Sequence, residues 1–243
     1  MRTSIAELQE EFATARPRYR RPNAIRSIFV THRLLHIEAS PRGAASISTT
    51  LAGHFVDRMR ETDTALELDH LRLWDTTLPE FDGALLSAKY AVLAKRAFEG
   101  GEAQAWKTIE RLIERVRDAD SLLVSTPMWN FGIPYKLKHW IDLITQPGLS
   151  FAFDPQSGYR PLLDAKPLTV VLASSGDYSA GPSWGRPDLA SGYLREAFRF
   201  IGLGEPGIVL TGPTAGDPAV QERARDAARK ALTERVDAHR SAS

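Results

Sequence analysis

Small and hydroxylic residues follow one another between Ser40 and Ser48, in a segment that reads Ser-Pro-Arg-Gly-Ala-Ala-Ser-Ile-Ser. Such a segment could hold a phosphate group at the start of a helix, because free N–H groups there carry partial positive charge and serine hydroxyls add donors. Gly43 would let the backbone turn closely around an anion. The alternative is an ordinary turn capped by serine, since serine and glycine are also the usual turn and cap residues.

A thioether, an amide and two aromatic rings occupy four consecutive positions, Met128, Trp129, Asn130 and Phe131. A loop of this composition could hold a flat conjugated ring between its aromatic side chains and contact the polar edge of that ring through Asn130 and backbone amides. The alternative is that Trp129 and Phe131 fill the core beneath the helix that follows.

A third segment, Ser174, Ser175, Gly176 and Asp177, is small and polar, and Tyr178 follows it. Its alternative interpretation is a plain turn. All three segments come directly after apolar runs that are predicted strands, and in an open parallel sheet ligands bind beyond the carboxyl ends of the strands. The sequence therefore predicts one site with environments for a phosphate, a ring and the edge of that ring.

Motifs for several other kinds of chemistry are missing from the sequence. It contains neither the G-x-G-x-x-G of dinucleotide folds nor the Gly-Lys-Ser/Thr of the P-loop, which disfavours ATP and GTP. The six histidines are scattered and form no His-Glu-x-x-His pattern, and no Gly-x-Ser-x-Gly elbow is present. The absence of cysteine removes thiolate nucleophiles and cysteine-ligated metals. We therefore predict no metal site, and any redox chemistry must come from a bound cofactor.

Short apolar runs alternate with amphipathic segments from residue 33 onward, which is typical of a parallel sheet with helices on both faces. In the second run Leu66 and Leu68 alternate with Glu67 and Asp69, a pattern that indicates an edge strand. The other four runs are nearly continuous, as in strands buried on both faces. The sequence predicts an α/β fold with a doubly wound, five-stranded parallel sheet. The predicted strands are 34–39, 65–71, 121–126, 168–174 and 207–211.

Apolar spacing predicts four helices around this sheet. Pro134 is expected in the first turn of the third helix, and Asp217 is expected to cap the fourth. Surface insertions are expected near 75–100 and 146–165. The residues expected to face inward are Leu51, Phe55 and Met59 in the first helix, Trp106, Ile109, Ile113 and Val116 in the second, Leu137, Trp140, Ile141 and Ile144 in the third, and Val220, Ala224, Ala228, Ala231 and Leu232 in the fourth.

The composition is that of an ordinary globular chain, with 243 residues, 43% of them apolar, and a net charge of +1. We expect no nucleic-acid or membrane partner, because this charge gives no attracting field and no apolar run approaches the roughly 18 residues of a membrane helix. Residues 1–30 are expected to form a poorly ordered, arginine-rich N-terminal extension, and 31–243 a single domain. We expect a cytoplasmic protein, because cysteine is absent and the twin arginine Arg20-Arg21 has no apolar run after it.

From about Leu34 to Ala238 the chain resembles the FMN-dependent NADH-azoreductases, flavodoxin-fold enzymes related to the NAD(P)H quinone oxidoreductases. The most specific similarity is Pro127-Met128-Trp129-Asn130-Phe131, which resembles the family's Pro-Met-(Tyr/Trp)-Asn-Phe signature. The end of the first segment, Ser46-Ile47-Ser48-Thr49, resembles the family's serine-rich phosphate loop. Further similarity covers Ile133 to Asp142, Gly148 to Phe151 and Leu71 to Gly83.

The resemblance implies a flavodoxin-like fold that binds FMN. The third segment departs from the family's Ser-Arg-Gly-Gly-like turn, and the carboxylate of Asp177 would destabilise a reduced, anionic ring if it lay within a few ångströms. The FMN contacts implied by the resemblance are Ser40, Ser46, Ile47 and Ser48 in the first segment, Met128, Trp129, Asn130 and Phe131 in the second, and Ser174, Ser175, Gly176 and Asp177 in the third.

The activity that the resemblance implies is a two-step cycle in which NADH or NADPH gives hydride to bound FMN and a quinone or aromatic azo compound then takes the electrons. The scheme requires no acid or base, so we assign no catalytic side chain. The alternative is a flavodoxin-like FMN electron-transfer protein without its own turnover, which a near-neutral chain disfavours. Family members are homodimers, which makes Tyr178, Trp184 and Phe151 candidates for the outer wall of the pocket; core packing is the alternative for Phe151.

Overall fold

The computed structural model describes residues 31–241, and the extension expected at residues 1–30 lies outside the described residues. The strands are β1 (Arg33–Glu38), β2 (Glu67–Arg72), β3 (Ser121–Pro127), β4 (Phe151–Asp154), β5 (Gly158–Pro161), β6 (Leu168–Ala173) and β7 (Gly207–Thr211). The helices are α1 (Ile47–Thr62), α2 (Gly83–Leu93), α3 (Glu102–Asp118), α4 (Tyr135–Ile144), α5 (Leu189–Ile201) and α6 (Pro218–Ser241).

Five of the strands form one parallel sheet in the order β2-β1-β3-β6-β7. This is the order of the flavodoxin-like doubly wound fold, in which the direction of winding reverses between β1 and β3. In this register Glu38 of β1 lies opposite Arg72 of β2 and Ser125 of β3. The predicted five-stranded sheet is therefore confirmed. Strands β4 and β5 form a separate antiparallel hairpin inside the expected insertion near 146–165.

Helices cover both faces of this sheet, as the alternating pattern predicts. Helices α1 and α6 pack on one face, where Phe55 and Leu232 belong to the same buried cluster as Leu123 of β3. Helices α2 to α5 cover the other face, where Ile113 and Trp140 belong to the larger buried cluster. Burying apolar side chains on both faces explains why the central strands read as continuous apolar runs.

The two edges of the sheet compare differently with the sequence. Strand β2 is an edge strand with Glu67 and Arg72 exposed, which confirms the alternating pattern. Strand β7 is the other edge; its continuous run predicted burial on both faces, and Val209 is buried whereas Ile208 and Leu210 are only half-buried. The continuous pattern does not distinguish β7 from a central strand because helices cover both of its faces, so an edge strand there is nearly as apolar as a central one.

The helix termini follow local capping chemistry. Asp217 caps α6 as predicted, since its Oδ1 accepts a hydrogen bond of 2.8 Å from the N–H of Ala219. Pro134 is the N-cap of α4, so that helix begins one residue later than expected. Helices α2 and α5 were not predicted; each has an aspartate at its N-cap, Asp82 or Asp188, that accepts from first-turn amides. Within the described part of the chain, no helix is long and apolar enough to span a bilayer.

Candidate functional site

The three polar segments singled out in the sequence follow β1, β3 and β6, which are neighbours in the sheet. The segments begin side by side. The N–H of Ala39 donates to the carbonyl of Ser125 (2.8 Å), and the N–H of Met128 donates to that of Ala173 (2.7 Å). Because these strands are parallel, their carboxyl ends share one edge of the sheet, and the β1–β3 reversal lies there. The structure thus brings the predicted segments together at the expected place.

The first segment contains a short 3-10 turn, Gly43–Ala45, and then enters α1. Ser40, Ser46 and Ser48 are all buried. The Oγ atoms of Ser46 and Ser48 lie 3.0 Å apart, and the N–H of Arg42 donates to Ser40 Oγ at 3.3 Å. Three hydroxyl groups are therefore collected inside the loop rather than spread over its surface.

The start of α1 carries hydrogen-bonding capacity that the described chain does not use. Ser46 stands at the N-cap, yet its side chain accepts no hydrogen bond from the first turn. The hydroxyl oxygen of Thr49 in that turn is buried and has no hydrogen-bond partner among residues 31–241. The first N–H groups of a helix lack intrahelical partners and carry partial positive charge, which suits a phosphate group. Ile47 packs partly into the core, so it would contribute its backbone N–H.

Gly43 and Arg72 meet at the outside of this loop. Gly43 has φ +50°, and a Cβ there would lie 3.4 Å from Arg72 Nη2. The guanidinium of Arg72 also pairs with Asp75 (2.7 Å) and, at 3.8 Å, with the buried carboxylate of Glu38. Sequence reasoning missed Arg72, because an arginine at the end of an edge strand usually faces solvent and only the folded sheet reveals its neighbours.

The second segment forms a tight turn between Trp129 and Gly132. Their backbones exchange two hydrogen bonds, both 2.9 Å long. The two central residues have positive φ angles, +47° for Asn130 and +69° for Phe131, as in a type I′ turn. Asparagine tolerates this conformation, but a phenylalanine there is strained, and such strain is concentrated at functional sites.

The aromatic rings of this turn lie at the surface. Trp129 is 37% exposed and Phe131 is 40% exposed, so the alternative that they fill the core is wrong. The ring of Trp129 lies 5.9 Å from Trp74, whose own ring is 5.3 Å from Tyr135. Trp74 Nε1 donates to the carbonyl of Ala39 at the start of the first segment (3.0 Å), which ties the aromatic cluster to the predicted phosphate loop.

The remaining two residues of the second segment have different surroundings. Asn130 is exposed at the tip of the turn, where its amide is accessible to a ligand. Met128 is half-buried and packs against the larger core cluster. Trp74 and Tyr135 were not identified from the sequence. The signal available for them was an aromatic residue shortly after β2 and another directly after Pro134.

The third segment is fixed by close packing against its neighbours. The N–H of Ser174 donates to the carbonyl of Thr211 (2.9 Å), and its buried hydroxyl donates to the carbonyl of Gly176 (2.6 Å). A Cβ on Gly176 would lie 2.5 Å from Ser183 Oγ, so only glycine fits there without movement. Sequence reasoning missed Ser183, which is buried against this glycine.

Ser175 and Asp177, in contrast, are exposed. One carboxylate oxygen of Asp177 accepts hydrogen bonds from the hydroxyl (2.6 Å) and the N–H (2.9 Å) of Ser179. These two bonds lower the pKa of Asp177, so the group is ionised at neutral pH. Ser179 thus stabilises the negative charge of Asp177 through Oδ1. Any destabilisation of a reduced, anionic ring would come from the other carboxylate oxygen, Oδ2.

Two histidines support the sheet beneath the first segment. His36 is buried and stacks on His70, with ring centres 4.5 Å apart, and His36 Nε2 lies 2.9 Å from Ser125 Oγ. Burial lowers the pKa of His36 to about 3, so it is neutral near pH 7. His70 Nε2 lies 3.1 Å from a carboxylate oxygen of Glu38. Residues 31–241 contain no cluster of three or more side chains that could hold a metal.

These residues fit FMN on the grounds of the structure itself. The free first-turn amides of α1, the Ser46–Ser48 hydroxyl pair and the unpartnered hydroxyl of Thr49 suit a phosphate group. The exposed rings of Trp129 and Phe131 suit a flat conjugated ring at the same edge of the sheet.

Comparison with known proteins gives the same result. A family model described as a flavodoxin-like fold matches residues 32–236. The FMN-dependent NADH:quinone oxidoreductase 1 of Bradyrhizobium diazoefficiens is 45% identical over 202 residues, which are 83% of this chain and 97% of that protein. The FMN-dependent NADH:quinone oxidoreductase of Desulfotalea psychrophila is 44% identical over 191 residues, covering 79% and 90% of the two chains.

Two solved structures share the fold. An azoreductase from Bacillus anthracis superposes with a TM-score of 0.76 at 22% identity, covering 85% of this chain and 99% of that one. An FMN-dependent NADH-azoreductase from the same species, solved with FMN, gives a TM-score of 0.73 at 24% identity and covers 84% and 98%. The family model and the curated relatives together show that this chain belongs to the flavodoxin-like family of FMN-dependent NADH:quinone oxidoreductases.

Proposed function

We propose that this protein is an FMN-dependent oxidoreductase that takes two electrons at a time from NADH or NADPH and reduces quinones and aromatic azo compounds. The observation that carries the proposal is the meeting, at the β1–β3 edge, of the serine-lined start of α1 with the strained turn that exposes Trp129 and Phe131. The curated relatives are named for the same chemistry with quinones, and the solved neighbours are azoreductases.

Bound FMN would supply a ring that accepts hydride and passes two electrons on. The residues of this chain bind and orient it. Ser46, Ser48 and the first-turn amides of α1 hold the phosphate. Trp129 and Phe131 hold the ring at the surface, where flat substrates reach its open face. Asn130 and nearby backbone amides stabilise negative charge at the ring edge.

The overall reaction needs no side chain as acid or base. NADH, one proton from water and a quinone become NAD⁺ and a hydroquinone, so the two electrons and two protons balance. The described residues contribute position and electrostatics to this reaction. We accordingly assign no catalytic side chain and propose that the twelve FMN-contact residues named above form the site.

An absorbance titration tests the proposal. FMN is added to the purified protein, NADH is then added without oxygen, and p-benzoquinone follows. Bleaching by NADH with repeated turnover on quinone is the expected result. A flavin that binds but is not bleached by NADH would indicate an electron-transfer protein, and failure to bind flavin would overturn both readings.

Two substitutions connect this activity to the second segment. Trp129→Ala and Asn130→Ala should weaken FMN binding while the fold survives, because both side chains lie at the surface. Trp140→Ala is the matched control. Its side chain is fully buried, so the loss should cost roughly 3–5 kcal/mol of unfolding free energy. A comparable loss of stability in Trp129→Ala would contradict the assigned role.

We further propose that the protein is a homodimer. Leu86, Tyr90 and Leu93 are exposed on α2 at spacings of four and three, which place them on one face of the helix. A helix that is apolar on its outer face as well as its inner face usually has a partner. Light scattering should give twice the monomer mass of 26.9 kDa. A cytoplasmic location is proposed with it, because the cytoplasm contains the NADH on which the proposed reaction depends.

A further inference from the structure

The segment between the third loop and α5 is attached to two parts of the proposed site. At its middle, Ser183 packs against Gly176, where a Cβ would lie only 2.5 Å from Ser183 Oγ. At its end, the N–H of Leu189 donates to the carbonyl of Phe131 at 3.0 Å. Residues 178–188 therefore connect the loop assigned to the ring edge with the turn assigned to the ring face.

Between these two attachments the chain forms a second tight turn. The backbones of Ser183 and Arg186 exchange hydrogen bonds of 3.1 and 3.0 Å. Trp184 and Gly185 have φ angles of +52° and +75°, again as in a type I′ turn. A tryptophan at positive φ is strained, so the turn holds this residue in a conformation that its own backbone preference disfavours.

The indole of Trp184 projects into solvent and is 94% exposed. It makes no ring contact with any side chain in the part of the chain that the structure describes. Some other exposed aromatic rings do have partners; Phe153 lies 4.9 Å from Tyr159, and Tyr135 lies 5.3 Å from Trp74. An indole held in a fixed orientation by a turn beside the proposed site suits stacking on a flat conjugated molecule.

We propose that Trp184 binds flat aromatic electron acceptors by stacking at the mouth of the flavin site and thereby determines the preference for them over small inorganic oxidants. This inference rests on the proposed function. Its basis is that the Ser183–Arg186 turn lies between a contact to the ring-edge loop and a contact to the ring-face turn, and that the indole stacks on no other ring among residues 31–241.

Steady-state kinetics of the FMN-loaded protein with two acceptors test the proposal. The first is 1,4-naphthoquinone, which can stack, and the second is ferricyanide, which cannot. In Trp184→Leu the KM for naphthoquinone should rise about three- to tenfold, the worth of one aromatic contact. The KM for ferricyanide and the FMN affinity should stay unchanged. Trp184→Phe keeps a ring and should stay within about twofold of the parent protein.

Each other outcome overturns the inference. Equal naphthoquinone KM values in the parent and Trp184→Leu would show that the indole does not bind the acceptor. An equal rise for ferricyanide would indicate a structural role. A change of mass by light scattering in Trp184→Leu would show that the indole faces a second copy of the chain. Failure of the parent protein to reduce either acceptor would instead contradict the proposed function itself.

Discussion

Trp129 and Gly132 are joined by two reciprocal backbone hydrogen bonds of 2.9 Å, and this pair forces the two residues between them to positive φ. The arrangement turns both Trp129 and Phe131 outward at the edge where the sheet reverses. Backbone strain at Phe131 is not explained by core packing, because its ring is exposed, and such strain is concentrated at functional sites. The relationship therefore links backbone geometry directly to the proposed ring site.

The strain at Phe131 can be measured. The free energy of unfolding of Phe131→Gly should be about 1 kcal/mol higher than that of Phe131→Ala, because only glycine adopts φ +69° without cost. Both variants lose the ring, so both should bind FMN more weakly than the parent. Urea denaturation and flavin titration provide the two readouts. If Phe131→Ala proved the more stable variant, the positive φ would not be strained.

The hydroxyl pair at the start of α1 should distinguish FMN from riboflavin, which lacks the phosphate. The double substitution Ser46→Ala/Ser48→Ala removes both hydroxyls of the pair, so no buried hydroxyl is left unpaired by the change. The stability of the flavin-free protein should therefore change little. FMN affinity should fall roughly tenfold or more, since hydrogen bonds to charged groups are strong. Riboflavin affinity should not change. An equal loss for both flavins would contradict a phosphate contact.

Close packing at Gly176 should make it intolerant of a methyl group. Gly176→Ala should lower the free energy of unfolding by about 1–3 kcal/mol through overpacking against Ser183. Adding Ser183→Gly should recover more than half of that loss, because it removes the nearest atoms. Gly192→Ala in α5 is the control: nothing lies within 4 Å, so it should stabilise the protein by about 0.5–1 kcal/mol. Additive effects of Gly176→Ala and Ser183→Gly would contradict the contact.

The buried imidazole of His36 should make stability depend on pH. Its pKa is lowered from 6.5 to about 3 by burial, so between these values the unfolded chain binds a proton that the folded chain does not. The contribution of neutral His36 is fully present above pH 6.5 and is lost as the pH falls toward 3. From pH 7.5 to pH 5 the parent protein should lose about 2 kcal/mol more than His36→Gln. Parallel losses in urea titrations at both pH values would exclude this role.

The sequence alone determined the fold class and the chemistry of the loops. Continuous apolar runs, separated by amphipathic segments of helical period, suffice for a parallel sheet with helices on both faces, because each pattern reflects which faces are buried. The same reading placed three polar segments after three strands, and the topology of parallel strands brought them to one edge. Serine-rich and Met-Trp-Asn-Phe segments carried enough chemistry to indicate a phosphate group and a flat conjugated ring, and the resemblance to the azoreductases identified that ligand as FMN.

Tertiary structure decided what the local pattern could not. The apolar run of β7 contains no sign of an edge strand, but strand position depends on pairing with distant segments, and β7 is an edge. The exposure of Trp129 and Phe131 depends on a turn with positive φ angles, which the residue preference of phenylalanine does not predict. Arg72 beside Gly43 is a contact between the end of β2 and the first segment, and Ser183 against Gly176 is a contact across a folded loop. Such contacts follow from packing, which no periodicity in a single sequence encodes.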